Sequence, residues 1–191
     1  MSLSQLINRV LEYLKSKSCF ATLANAQACE GFAVNAIQIG PCPPTIITIN
    51  NGNIPTTLFG CQSGGFTTVV PPETNNVFLQ IPPNCGGCYN IELNISGFLD
   101  FPDEVTSGGI SYFGVCRSGE TDFLIPPAIL VIASTAFEGL NPIPINVSTS
   151  ATVCLQAGDL IAPCAASNFG TPLLAILGLT MKVVKLGDCE L

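Results

Sequence analysis

Beyond residue 44 the chain is cut into short apolar runs by Gly, Pro, Asn and Ser, and this punctuation leaves little room for helices. The runs at 45–49, 56–59, 66–70 and 77–81 are shorter than the roughly three turns of an average helix. Downstream, Ile91, Leu93 and Ile95 alternate with Glu92, Asn94 and Ser96, and Ile143, Ile145 and Val147 repeat the pattern. A period of two places successive side chains on opposite faces, so each stretch predicts a strand with one face in a core and the other wetter. Further strands are expected over 109–116, 128–135, 151–155, 159–166 and 173–186. Many short strands with frequent turn residues describe an all-β, antiparallel sandwich, jelly roll or barrel. No collagen-like Gly-X-Y tract and no internal repeat is present.

The first 44 residues read differently. Over 2–17, Leu3, Leu6, Ile7, Val10, Leu11 and Leu14 recur at helical spacing, with Ser2 and Gln5 placed for a capping box. Leu3, Ile7, Val10 and Leu14 form a narrow seam of heptad spacing and are the candidate assembly helix. Two heptads are fewer than identify a coiled coil, so a helix laid on the core or on a neighbour and a parallel oligomeric stalk both stay open. From 19 to 44 the composition turns to Ala, Asn, Gln, Gly, Pro and Cys, as in a connector, although 32–39 alternates enough for a strand. The chain is therefore divided into a helix and connector arm at 1–44 and a β domain at 45–191.

Composition excludes several functions. Charged residues make up 10% of the 191, against about 25% in a typical domain, so self-repulsion does not hold the chain unfolded. Six basic residues and a net charge of -7 provide no footprint for a phosphate backbone, which argues against a nucleic-acid partner. There is no histidine, which removes imidazole as base or metal ligand. The mean hydropathy is +0.51, yet the apolar stretches at 125–137 and 172–184 are interrupted before the ~18 residues a spanning helix needs. Arg9 and Glu12 interrupt the N-terminal apolar segment, so no classical signal peptide is expected. High hydrophobicity with few charges points to surface buried against other subunits, or else to a monomer with a large core.

Ten cysteines conflict with that missing signal. Their density favours an oxidised protein released from the cell that made it, with buried reduced thiols as the alternative. Cys19, Cys29 and Cys42 lie on the connector, where an extended arm presents thiols to another subunit or pairs within the chain. Cys85, Cys88 and Cys189 complete the candidate disulfide and cross-link set. Cys85-Gly86-Gly87-Cys88 is the only C-x-x-C. Structural zinc takes four thiolates or imidazoles, and a thioredoxin-like pair sits at a helix N-terminus, whereas here prolines precede the pair and a strand follows. A loop disulfide, or a pair bonded to different partners, is the reading that remains. The acidic residues Asp100, Asp103, Glu104, Glu120 and Asp122 lack EF-hand spacing and read as solvated loops. Asn94-Ile95-Ser96 and Asn146-Val147-Ser148 match the glycosylation pattern but fall in expected strands. No catalytic residue, cofactor site or metal site is assigned.

The run Ala151-Thr152-Val153-Cys154-Leu155-Gln156-Ala157-Gly158-Asp159-Leu160 resembles the strand-turn-strand signature near the end of C1q/TNF-like jelly rolls. Thr180-Met181-Lys182-Val183-Val184-Lys185-Leu186 looks like the last core strand of that fold, and the similarity extends over 88–186. Within the superfamily, the cysteines, low charge and Thr/Asn/Pro-rich loops are most similar to BclA-like bacterial spore-surface proteins and fibre-forming endospore appendage subunits. The resemblance implies a trimer packed around a threefold axis, with a structural role and no enzymatic one. The expected function is a self-assembling subunit of a disulfide-stabilised extracellular fibre or exosporium layer, made in the mother-cell cytosol and released. Its partners are then other copies of itself and spore-surface anchor or tip proteins, with no cofactor, nucleic acid or transmembrane segment. A trimeric adhesive or receptor-binding head, a viral capsid or spike jelly roll, and a thiol oxidoreductase at Cys85 and Cys88 are the alternatives.

Overall fold

A computed structural model of the chain describes residues 4–7, 20–24, 36–38, 44–47, 50–51, 54–55, 59–63, 66–72, 76–101, 109–132, 142–168 and 172–189. Strands dominate them: β1 (Phe20–Ala24), β2 (Ala36–Gln38), β3 (Thr45–Ile46), β4 (Asn50–Asn51), β5 (Ile54–Pro55), β6 (Phe59–Ser63), β7 (Thr67–Val69), β8 (Phe78–Gln80), β9 (Gly87–Asp100), β10 (Gly109–Arg117), β11 (Ala128–Ile132), β12 (Ile143–Leu155), β13 (Leu160–Ser167) and β14 (Leu173–Gly187). They build two six-stranded antiparallel sheets. The first has the order β12-β9-β14-β1-β6 with β2 also on β14; the second has β11-β10-β13-β8-β7 with β3 also on β13. β4 and β5 form a separate two-stranded ribbon.

The alternation in β9 makes the sandwich. Tyr89, Ile91, Leu93, Ile95 and Leu99 are buried, while Asn90, Glu92, Asn94 and Ser96 take the other face. The buried row shares one core with Phe113, Val115, Ile161 and Ala165 of the second sheet. Each large apolar side chain so buried stabilises the fold by about 1.5–3 kcal/mol. Ser111 and Ser167 are the buried polar exceptions among the described residues; they sit opposite each other in β10 and β13, with hydroxyls 3.3 Å apart. Pro163 is tolerated within β13 because its carbonyl, and hence its absent N–H, faces Ile47 and the short β3, away from the β10 ladder.

β14 departs from simple alternation. Leu174 and Ile176 point inward at even positions, whereas Leu179, Met181 and Val183 point inward at odd ones. Its register against β9 shifts between Ile176 and Gly178 and again between Lys185 and Gly187. The extra residues are Leu177 and Leu186, which a bulge turns outward to 46% and 62% exposure. Gly97 of β9 faces the first bulge, where an added Cβ would lie 2.1 Å from the Ala175 carbonyl oxygen.

Strand pairing also begins well before residue 45. β1 lies between β14 and β6, with Phe20 opposite Val184 and Ser63, and β2 pairs Ala36–Gln38 with Leu173–Ala175. Of the expected helix, residues 4–7 are helical, with Leu6 and Ile7 exposed. Leu3, Val10 and Leu14 lie outside the described residues.

Candidate assembly face

The outward side of the first sheet is broad, and its middle carries small neutral side chains. In register, Asn146 stands opposite Ser96, and Asn94 stands between Ser148 and Thr180. Asn94, Ser96, Asn146 and Thr180 line a shallow pocket of about 270 Å³ beside Gly178. Both glycosylation-pattern asparagines, Asn94 and Asn146, are exposed here. Among the described residues this face carries one cross-strand ion pair, Lys182 Nζ to Glu92 Oε2 at 3.7 Å. An exposed pair of this kind contributes about 0–1 kcal/mol.

Next to this face lies an apolar edge. β11 ends the second sheet, β12 ends the first, and the two strands pack beside each other across the sandwich. Ala128 and Leu130 turn toward the core, leaving Ile129 and Val131 exposed at 59% and 70%. Their register partners in β10 are Tyr112 and Ile110. The Phe123 ring tilts against Tyr112 and closes over Gly114, where an added Cβ would sit 2.6 Å from the ring.

The cysteines fall in three environments. Cys116 and Cys164 join β10 to β13 with Cα atoms 6.0 Å apart, and both are buried. Cys154 and Cys189 join β12 to the segment after β14, again with Cα atoms 6.0 Å apart, on the outer side of the first sheet. Cys85 is fully buried and disulfide-bonded, whereas Cys88 is a half-buried free thiol. A loop disulfide between Cys85 and Cys88 is therefore not formed: Cys85 is in the core, and Cys88, preceding the inward Tyr89, faces outward. The Tyr89 hydroxyl donates to the Cys85 carbonyl, and burial pushes its pKa up to about 12. Cys19, Cys29 and Cys42 lie outside the described residues. Cys116, Cys154 and Cys164 were not singled out in the sequence. Their positions in strands were legible there, but their partners depend on strand order.

Arg117, also unremarked in the sequence, ties down the end of the sandwich near Cys154. Its Nη1 donates to Glu120 at 2.9 Å, its Nη2 donates to the Cys154 carbonyl at 3.3 Å, and its Nε lies 3.4 Å from Asp159 Oδ2. Asp159 in turn accepts the Gln156 amide at 2.8 Å, closing the Ala157-Gly158-Asp159 turn, where Gly158 has φ +88°. Of the acidic residues, Asp100 is exposed at the end of β9, and Asp103 and Glu104 lie outside the described residues. Among the described residues, no group of three or more His, Cys, Asp or Glu is placed to hold a metal ion, and no helix is long and apolar enough to cross a membrane.

No family model matches the chain, and no curated protein matches it in sequence. Solved structures do. The Eiger TNF of S. frugiperda superposes with a TM-score of 0.55 at 13% identity, covering 91% of this chain and 96% of that one. This chain has the TNF/C1q-like jelly-roll fold. The covered share exceeds what residues 45–191 make up, in keeping with β1 and β2 as parts of the first sheet. Murine APRIL at pH 5.0 is similar at 15% identity and a TM-score of 0.47, covering 89% of this chain and all of that one. The globular domain of zebrafish complement 1qA is similar at 9% identity and a TM-score of 0.46, covering 90% and 99%.

Proposed function

We propose that the protein is a structural, non-enzymatic subunit that forms a homotrimer and stacks through its N-terminal segment into a disulfide-stabilised extracellular fibre or spore-surface layer. The observation that carries this reading is the apolar edge of Ile129 and Val131 beside a wide sheet face with one ion pair among its described residues. An edge strand with outward apolar side chains is a surface to be covered. If the edge of each protomer packs on the first-sheet face of the next, a threefold rotation uses each surface once and closes the ring. The disulfides Cys116–Cys164 and Cys154–Cys189 favour an oxidising exterior. Residues 1–44 serve as the assembly arm while lending β1 and β2 to the jelly roll. Spore-surface anchor or tip proteins are the further partners of such an assembly.

The mass in solution, from light scattering on a sizing column, tests the trimer. The expected value for the native protein is that of three chains, or a multiple of three where trimers have stacked, and one chain for an Ile129→Asp/Val131→Asp variant whose circular dichroism is unchanged. A monomeric native protein, or a variant that stays trimeric, would overturn the proposed packing. Discrete trimers that never grow into longer assemblies would instead favour a binding head.

A further inference from the structure

Three cysteines converge at one end of the first sheet, and only two of them are bonded. Cys88 of β9 is directly opposite Cys154 of β12 in the antiparallel register, and it is directly opposite Gly187 of β14 on its other side. Cys154 is bonded to Cys189, two residues past Gly187, so this disulfide bridges the flanking strands next to the free thiol. Opposed residues in an antiparallel pair have Cα atoms about 4.5–5.5 Å apart, within the ~4.4–6.8 Å that a disulfide spans. The existing bond spans 6.0 Å. Cys154 therefore has two sulfur partners at bonding reach. The site is also open: Cys154 and Cys189 line a pocket of about 400 Å³ with Gly86, Gly87, Leu155 and Ala157, and Cys154 is exposed.

We propose that Cys88, Cys154 and Cys189 form a thiol–disulfide exchange relay that moves the free thiol from the sheet to the segment beyond β14. Cys88 loses its proton to water, and its thiolate attacks Cys154 Sγ. The Cys88–Cys154 bond forms as the Cys154–Cys189 bond breaks, and Cys189 departs as a thiolate that takes up a proton. One disulfide and one thiol are present before and after, so no oxidant is consumed. β14 ends at Gly187, so breaking the bond leaves Cys189 on a segment outside the strand ladder. In a second step, which rests on the assembly reading above, the Cys189 thiolate attacks Cys189 Sγ of a second copy. A Cys189–Cys189 bond forms between chains, and Cys154 of the second copy leaves as a thiolate. Redox-neutral cross-linking of this kind lets subunits meet before they are locked.

The test is peptide mapping of the folded, full-length protein, incubated without added oxidant or reductant, trapped with N-ethylmaleimide and digested without reduction. The expected result is two isomers: Cys154–Cys189 with label on Cys88, and Cys88–Cys154 with label on Cys189. A Cys189→Ser variant, altered only beyond the last strand, is expected to link Cys88 to Cys154 when produced under the same oxidising conditions. Native protein labelled at Cys88 and never at Cys189, or a Cys189→Ser variant labelled at both Cys88 and Cys154, would overturn the relay. The second step is read from non-reducing gels, where Cys189-linked dimers are expected in the native protein and lost in Cys88→Ser. Both isomers without covalent dimers would leave the relay standing and remove disulfide-linked assembly through this site. Dimers that persist in Cys88→Ser, without isomerisation, would do the reverse.

Discussion

Gly97 shows how one residue sets the spacing of two strands. Its absent side chain lets the bulged β14 carbonyl at Ala175 pass where a Cβ would lie at 2.1 Å. The close atom is backbone, so it has no rotamer through which to move aside. Gly97→Ala is expected to cost about 1–3 kcal/mol as the strands separate, read from the denaturant midpoint. Tyr89 offers a pH-dependent counterpart. The unfolded chain gives up the phenolic proton near pH 10 and the folded chain holds it to about 12. The folded state therefore binds more protons in that window, so its stability is complete below pH 10 and falls as pH rises toward 12. The expected slope is about 1.4 kcal/mol per pH unit in denaturant titrations, and it should vanish in Tyr89→Phe.

Among the elements, the strands that alternate were legible and the strands that change phase were legible only in outline. The expected strands at 143–147 and 151–155 are one element, β12, because Ser148 and Ser150 between them continue the wet outer face while Thr149, half-buried, keeps the inward phase. The run 173–186 was correctly an extended strand, but its core-facing residues could not be counted off by twos, since Leu177 and Leu186 are bulge residues. β1 was missed altogether: Phe20–Ala24 has the length of one short run inside a segment that reads as connector. Its place between β14 and β6 leads to a contrast between two truncations. Removing residues 1–19 is expected to leave cooperative thermal unfolding intact. Removing 1–44 strips β1 and β2, leaves β14 and β6 with unpaired backbone groups, and is expected to broaden or abolish that transition.

At the scale of the whole molecule, assembly is expected to depend on the same N-terminal segment for a different reason. The 1–19 truncation keeps the face and the edge from which the trimer is built, so it should remain trimeric while failing to extend. Negative-stain microscopy of full-length and truncated protein, each oxidised and reduced, reads this directly. Fibres are expected only from the oxidised full-length chain; equal assembly by both chains would remove the arm from the mechanism. The sequence by itself determined that the chain is an all-β, antiparallel succession of strands and which side chains of β9 face inward, because both follow from local alternation and turn residues. Only the tertiary structure decided that Cys154 bonds Cys189, that Cys88 is left opposite them, and that Ile129 and Val131 lie on an open edge. Those facts depend on strand order, which brings together residues far apart along the chain and leaves no trace in their local spacing.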